Sequence, residues 1–267
     1  MSTSSRTLRS SRRLGILELG KDGAIDGSCE LRLFTDSPLV DVEINKIDMH
    51  VLILGATGAC GILLVKEALG ASHTVIIFAR SPEKLPEEIR NDTRVTLLKG
   101  ELDDESTLSA AMENVDAVLS ALGPKVSHGT YPRGEPLTRA YSLIIKAMVA
   151  HGVKRLIALG TPSMTDPHDK QSLKWSLIVG GIKTLVPTVY SDIVGIGNII
   201  RTEGDTLDWT IVRVPFLTNS SNRNVVAGYV GDGKTGTTLS RVGFATFVLQ
   251  ELAKNEWVKE APLVTLV

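Results

Sequence analysis

A glycine-rich segment with a period of three residues lies at positions 55–61 and reads Gly-Ala-Thr-Gly-Ala-Cys-Gly. In such a pattern Gly55 permits a backbone conformation that other residues rarely adopt. Gly58 lets a phosphate group approach the backbone, and Gly61 lets a helix pack close to a sheet. The amides at the start of that helix then face negative charge. Because an apolar run precedes the segment and helical spacing follows it, we predict a dinucleotide phosphate loop rather than an ordinary tight turn. The residues predicted to form it are Gly55, Thr57, Gly58, Ala59, Cys60 and Gly61.

The end of the next apolar run, about 20 residues further on, is where an acid binds the ribose hydroxyls of NAD. The sequence there reads Phe-Ala-Arg-Ser-Pro over residues 78–82, so the acid is absent and Arg80 stands in its place. A guanidinium group has the forked donors that suit the 2′-phosphate of NADP. The alternative is a solvated surface arginine. We interpret the missing carboxylate as a preference for NADP(H).

From residue 50 onward, short apolar runs alternate with segments of helical spacing. Continuous apolar runs indicate strands buried on both faces, and strands separated by helices indicate right-handed crossovers. We therefore predict an α/β fold, a doubly wound parallel sheet of the Rossmann type, in a single domain over residues 49–267 with a small C-terminal substrate-side region. The predicted strands are 50–54, 74–78, 95–98, 117–122, 155–159, 209–214 and 263–267, and the clearer helices are 59–69, 136–151 and 241–252.

Charge and composition exclude several other classes. The net charge of -1 gives no general attraction to phosphate polymers or to anionic lipid, so nucleic acid is not an expected partner. The two cysteines form no Cys-x-x-Cys pair, and no two of the five histidines stand at i and i+4, so we expect no metal site. This cysteine usage is typical of a reducing compartment, which favours the cytoplasm.

Residues 1–48 differ in composition from the rest of the chain. Four arginines lie among serine and threonine in residues 1–13, and no acid precedes Glu18. This composition resembles that of a mitochondrial transit peptide. We prefer the alternative that residues 1–48 are a flexible or non-essential extension, because Met49 directly precedes the first predicted strand.

The longest other apolar stretch runs from Trp175 to Tyr190. Lys183 interrupts it, two glycines and Pro187 weaken any helix there, and it falls short of the roughly 20 apolar residues that a spanning helix needs. The stretch is therefore interpreted as a buried or cleft-lining segment, and no membrane partner is expected.

Taken together, these residues resemble the NmrA-like, atypical branch of the short-chain dehydrogenase/reductase superfamily, which includes biliverdin reductase B. The resemblance covers about residue 49 to the C-terminus. Its marks are Gly-Ala-Thr-Gly-x-x-Gly at 55–61, Ala-Arg at 79–80, Gly-Glu-Leu-Asp at 100–103, Ser-Ala-Leu-Gly at 120–123 and Asp-Trp-Thr-Ile-Val-Arg at 208–213.

The resemblance implies further cofactor contacts. In the family, the turn after the third strand places an acid near the adenine, and here Glu101 takes that place with one more methylene than the usual aspartate. Family members carry the nicotinamide over the ends of the fourth and fifth strands. The positions that the resemblance adds to the cofactor site are Glu101, Leu102, Ser120, Ala121, Leu122 and Gly123.

The main branch of the superfamily uses Tyr-x-x-x-Lys, in which the lysine lowers the tyrosine pKa for proton donation. Here Tyr190 is followed four residues later by Val194, and no other tyrosine has a lysine at that spacing. A tyrosine without that partner keeps a pKa of about 10 and is a poor acid at neutral pH. The candidate catalytic residues are Thr161, Ser163 and Tyr190, with His128 and Tyr131 as further substrate-side candidates; each has a structural alternative, such as capping backbone groups or packing.

Three function classes are consistent with these residues. The first is an NADPH-dependent reductase of a small organic substrate, in which the cofactor supplies the hydride and the protein supplies orientation. The second is an NADP(H)-binding regulator that senses redox state through partner proteins. The third is a non-redox isomerase or cyclase on the same fold. The fold does not decide among them, and the sequence leaves the substrate and the oligomeric state open.

Overall fold

The computed structural model describes residues 48–124 and 131–267. An eight-stranded sheet has the order β3-β2-β1-β4-β5-β6-β10-β8, and every neighbouring pair is parallel except β10 with β8. A second, two-stranded parallel sheet pairs β7 with β9. The strands are β1 His50–Leu54, β2 Thr74–Ala79, β3 Val95–Lys99, β4 Ala117–Ser120, β5 Arg155–Gly160, β6 Asp208–Arg213, β7 Phe216–Thr218, β8 Val225–Gly228, β9 Thr238–Ser240 and β10 Leu263–Leu266.

Helices cover both faces of the large sheet, as the doubly wound arrangement requires. One buried cluster joins α1 and α7 to the sheet, and another joins α3, α4 and α6 to the opposite face. The helices are α1 Ala59–Gly70, α2 Glu87–Arg90, α3 Glu105–Ala110, α4 Pro136–Ala150, α5 Leu173–Leu185, α6 Pro187–Thr202 and α7 Arg241–Lys254. The predicted α/β fold with a parallel Rossmann sheet is confirmed.

The apolar runs form the centre of the sheet because both of their faces are covered. β1 lies between β2 and β4, and its last four residues are buried. The strand order reverses direction between β1 and β4, so their carboxyl ends open the crevice in which such sheets bind ligands. The segment from Gly55 leaves the sheet at that crevice.

Of the two interpretations of Trp175–Tyr190, a buried segment is wrong for α5, whereas a cleft-lining segment agrees with the structure, because Lys183, Pro187 and Tyr190 line a cavity. Two helices, α5 and α6, meet there, and Trp175 is the one buried residue of α5. Pro187 does not weaken the structure because it stands in the first turn of α6, where its missing N–H needs no partner.

No single helix in the described part of the chain is long and apolar enough to cross a membrane. The pair Leu173–Leu185 and Pro187–Thr202 reaches that length and composition together, but it is bent by 118° at the break between the two helices.

The predicted boundary between residues 1–48 and 49–267 rests on residues 1–47, which lie outside the described residues. It stays a prediction. After β6, the small β7–β9 sheet occupies the C-terminal region that was expected beside the substrate.

Candidate functional site

The predicted phosphate loop lies between the end of β1 and the start of α1. Gly55 has a φ of 74°, the left-handed region that favours glycine, and a Cβ there would lie 2.8 Å from the backbone of Ala121. A Cβ on Gly61 would lie 2.1 Å from the Gly55 carbonyl oxygen. These two glycines are therefore required by the turn itself and by the approach of α1 to it.

Gly58 has a different role. Its φ of -83° suits any residue, it is exposed, and a Cβ there would meet only the Gly55 carbonyl oxygen, at 3.3 Å. Packing does not demand a glycine at this position. Gly58 is also the N-cap of α1; among the described residues no side chain caps the helix start, and no acid lies in its first turn. The free space and the positive helix end fit an anionic group such as a pyrophosphate.

Cys60, in the first turn of α1, is directed into the core beneath the loop. Burial raises the pKa of its thiol, and the charge of Arg241 only partly opposes that effect. A buried thiol of raised pKa is a weak nucleophile at neutral pH. Cys60 therefore contributes packing and its backbone to the loop. Thr57 and Ala59 are partly or fully exposed on the loop surface.

A cavity of about 950 Å³ opens beside the ends of β2, β3 and β4 and is closed on its other side by α4. Five of the predicted cofactor residues line it, namely Arg80, Glu101, Leu102, Leu122 and Gly123. A cavity of this size takes a drug-sized ligand. Its position, at the crevice where the strand order reverses, is that of the adenosine half of a dinucleotide.

Arg80 and Glu101 meet at the rim of this cavity. The Arg80 Nε lies 3.7 Å from the Glu101 Oε2, and both side chains are mostly exposed. An exposed ion pair of this length holds little energy, so an incoming phosphate can compete for the guanidinium group. Arg139 of α4 lines the same cavity and provides a second guanidinium group that the sequence analysis missed.

Ser120, at the end of β4, faces the interior and not the cavity. Its hydroxyl lies 2.7 Å from the hydroxyl of Tyr141, a fully buried residue of α4. Burial raises the pKa of Tyr141 to about 12, with the bond to Ser120 opposing the shift. This pair joins β4 to α4. Ala121 follows with its amide bonded to Leu54, which brings the ends of β1 and β4 together at the glycine loop.

Asp192 of α6 holds the far wall of the cavity, and no sequence pattern indicated it. Its buried carboxylate accepts the Leu137 and Thr138 amides at 3.0 and 2.7 Å, which caps the start of α4. It also accepts the Tyr131 hydroxyl at 2.5 Å. Burial and this bond raise the pKa of Tyr131. Tyr131 therefore anchors the loop in front of α4 and is poorly suited to donate a proton to a substrate.

Thr161 and Ser163 lie in the turn after β5. The Thr161 hydroxyl accepts the Ser163 amide at 3.3 Å, and Ser163 is buried. The contact of Thr161 matches the structural alternative, in which its hydroxyl stabilises the turn. Their catalytic assignment stays a prediction.

An ion pair between the buried Arg213 and the partly buried Asp169 holds the segment that follows this turn. The guanidinium of Arg213, at the end of β6, donates to both carboxylate oxygens of Asp169 at 2.7 Å and to the Met164 carbonyl at 3.0 Å. Burial by itself would raise the pKa of Asp169. The hydrogen bonds and the charge of Arg213 oppose this effect, and the net result is a lowered pKa. The turn after β5 is therefore held in place by the strand beside it.

Tyr190 lies apart from the large cavity, in a second cavity of about 490 Å³ between α5, α6 and the start of α4. The ammonium group of Lys183 lies 5.8 Å from the centroid of the Tyr190 ring. Neither Tyr190 nor Thr161 nor Ser163 lines the larger cavity. The structure thus brings the cofactor candidates together more clearly than the catalytic candidates. His128 lies outside the described residues.

The described residues contain no group of three or more histidine, cysteine, aspartate or glutamate side chains that could hold a metal ion. The site is instead made of a glycine loop at a helix N-terminus, two guanidinium groups and an apolar cavity. With the strand order, these features define a Rossmann-type dinucleotide-binding protein. The NAD(P)H-binding family model matches residues 55–255, and the chain belongs to this family.

Similarity to individual proteins is more limited. A probable pinoresinol-lariciresinol reductase 3 of Arabidopsis thaliana is 37% identical over 86 residues, which cover 32% of this chain and 28% of that protein. The photosystem II assembly factor Ycf39 of Synechocystis is 30% identical over 109 residues, covering 41% and 32%. The matches thus span about a third of these relatives. A short-chain dehydrogenase/reductase of Veillonella parvula in complex with NADP shares the fold, with a TM-score of 0.67, 17% identity, and coverage of 81% of this chain and 94% of that one.

Proposed function

We propose that the protein is an NADPH-dependent reductase of a small organic substrate. The observation that carries the proposal is the placement of Arg80 on the rim of the large cavity, one strand away from an uncapped α1 N-terminus. Family membership supports binding of NAD(P)H, and the name of the Arabidopsis relative supports reductase chemistry.

Different residues of the chain would contact different parts of the cofactor. Gly58 and the first amides of α1 would hold the pyrophosphate, and Leu102 and Leu122 would contact the adenosine half. Arg80 would pair with the 2′-phosphate, at the position where an NAD-binding protein has an acid. Gly123, which is exposed after β4, would leave room toward the nicotinamide. The bound cofactor supplies a hydride, and the chain supplies its orientation and the exclusion of water.

The described tyrosines near the large cavity are poorly suited to act as general acids. The hydroxyls of Tyr131 and Tyr141 both have raised pKa values and internal partners. The reaction is therefore proposed to take its proton from water, or from the hydroxyl of Thr161 after a small movement of its turn. Substrates whose reduced form needs little acid catalysis, such as quinones and flavins, fit this arrangement better than simple ketones.

Incubation of the purified chain with NADPH and a panel of quinones, flavins and enones tests the proposal, with absorbance at the nicotinamide band as the readout. We expect oxidation of NADPH with at least one acceptor and no oxidation by Gly58→Val, in which the side chain fills the pyrophosphate space. Tight binding of NADPH with no turnover on any acceptor would contradict the reductase.

That contrary result would favour a second candidate, an NADP(H)-binding regulator. One observation supports it: none of the three catalytic candidates lines the cavity that the cofactor residues share. A regulator would bind NADPH and NADP⁺ with different affinities and would capture a partner in one redox state only. Titration of both forms, followed by a pull-down in each, distinguishes the regulator from an enzyme.

A further inference from the structure

Helix α5 presents apolar side chains to the outside of the molecule. The side chains of Leu173, Leu177 and Leu185 are 79%, 69% and 82% exposed, and Val186 at the helix end is 41% exposed. Single exposed leucines are ordinary in soluble proteins, but several large exposed apolar residues on one helix and its end indicate an interaction surface.

The opposite side of α5 explains why the helix stays on the protein. Trp175 is buried against Val230 and Leu263, and Ile178 packs onto the same cluster. Ser172 caps the helix start by accepting the Trp175 amide. The inner side of α5 is thus satisfied by the fold, while the exposed leucines have no role in it.

The lysines of α5 flank its outer face. At about 100° per residue, Leu173 and Leu177 lie about 40° apart, and Lys174 and Lys183 lie about 80° to 100° from Leu173 on either side. Leu185, at the helix end, lies about 120° from Leu173 and so outside this face. No aspartate or glutamate occurs between Asp169 and Asp192 in the sequence. In the part of the chain that the structure describes, neither lysine forms an ion pair. Glu135 lines the smaller cavity together with Lys183, but its carboxylate accepts a hydrogen bond from the Ser191 hydroxyl instead.

We propose that α5 docks the protein onto the surface of an anionic lipid bilayer. Leu173 and Leu177 point outward between one lysine on each flank, Lys174 and Lys183. In an interfacial helix the apolar face enters the headgroup boundary while the ammonium groups remain at the phosphates. The charge of the flanks favours an anionic lipid over an apolar protein partner. The expectation of no membrane partner rested on the lack of a spanning segment and on the net charge of -1. Surface docking needs no spanning segment, and here it depends on the local charge of α5 rather than on the net charge of the chain.

Flotation with extruded vesicles tests the proposal on the full chain. One set of vesicles contains phosphatidylcholine alone, and the other contains phosphatidylcholine with phosphatidylglycerol. The test variant is Leu173→Gln with Leu177→Gln, and the matched control is Val149→Gln, an apolar residue of α4 that is 53% exposed. Lys174→Gln tests the charge. Titration with NADPH shows that each variant is folded, because none of these residues lines the cofactor cavity.

We expect the wild-type chain to float with the anionic vesicles and not with phosphatidylcholine alone. The double leucine variant should lose at least about tenfold in partitioning, since each leucine contributes most of its burial energy. Lys174→Gln should lose about fivefold, and added salt should weaken wild-type binding. Val149→Gln should float as the wild type does.

Absence of wild-type flotation, or equal flotation of the double leucine variant, would overturn the proposal. If the wild type stays off vesicles but self-associates on size exclusion, and the leucine variant does not, the face binds a second copy instead. If the leucine changes alter only the KM of a reduced substrate, the helix covers a substrate. Both results refute lipid docking and leave the proposed reductase untouched.

Discussion

Two glycines of the phosphate loop, only three residues apart, should respond in opposite ways to the same substitution. Gly58→Ala should abolish tight cofactor binding and leave the fold intact. Gly61→Ala should disrupt the fold. The contrast follows from the space around each residue: a methyl group on Gly58 meets one oxygen at 3.3 Å, whereas on Gly61 it would lie 2.1 Å from the Gly55 carbonyl oxygen and 2.6 Å from the Ala56 Cα.

The magnitudes follow from the same geometry. Replacing glycine by alanine at the N-cap of α1 costs about 1 kcal/mol of stability, and the reduced freedom of the unfolded chain returns about 0.4 to 1 kcal/mol. The net change in the free energy of unfolding for Gly58→Ala should therefore be below about 1 kcal/mol. For Gly61→Ala the nearest atoms are backbone and cannot yield, so overpacking should cost about 3 kcal/mol or more.

The assay pairs urea denaturation with calorimetric titration of NADPH for the two variants. Gly58→Ala should keep its denaturation midpoint within a small shift and lose at least about tenfold in NADPH affinity, equal to about 1.4 kcal/mol. Normal affinity in a folded Gly58→Ala protein would show that the pyrophosphate does not lie against Gly58. A Gly61→Ala protein as stable as the wild type would refute the account of how α1 packs on the loop.

Three further predictions concern other parts of the molecule. Asp192→Asn should lower the free energy of unfolding by about 2 kcal/mol in urea denaturation, because it weakens the charge-assisted bonds that cap α4. The control Asp205→Asn, on the surface, should not lower it. Equal stabilities of the two variants would contradict the capping role. Tyr190→Phe should retain most of the rate of NADPH oxidation, and a loss of about a hundredfold or more at unchanged cofactor affinity would identify Tyr190 as the general acid. A chain that begins at Met49 should bind NADPH as the full chain does, since β1 begins at His50, and its failure to fold would show that residues 1–48 are structural.

The strands were predictable because each is a continuous apolar run buried on both faces. The prediction for β4 extended to Leu122, two residues beyond Ser120, because Ala121 and Leu122 are apolar yet already turn toward the glycine loop. The short strands β7, β8 and β9 were missed. They have three or four residues each, and β7 and β8 are only half-buried, so they carry neither a long run nor a clear alternation.

Much of the lining of the candidate cofactor site was predictable because its residues follow strand ends, where a parallel sheet gathers them at one edge. Arg80, Glu101, Leu102, Leu122 and Gly123 do meet there. The orientation of a side chain at such an end was not predictable, and Ser120 turned inward to Tyr141.

In the far wall of the site, Tyr131 was a substrate-side candidate, but no sequence pattern indicated Asp192 or Arg139. Asp192 and Tyr131 are 61 residues apart and are joined only by the packing of α6 on the start of α4. Arg139 reaches the cavity because of the rotation of α4 about its own axis, which that packing determines.

The most direct test of the proposed NADP(H) site is a calorimetric comparison of NADPH and NADH on the wild type and on Arg80→Ala. The affinity for NADH serves as the internal control, because it has no 2′-phosphate for the guanidinium to contact. A charge-assisted contact of about 1.5 to 3 kcal/mol predicts that the wild type binds NADPH about tenfold or more tightly than NADH, and that Arg80→Ala loses this preference while its NADH affinity is unchanged. Equal wild-type affinities, or an undiminished preference for NADPH in Arg80→Ala, would contradict the assignment.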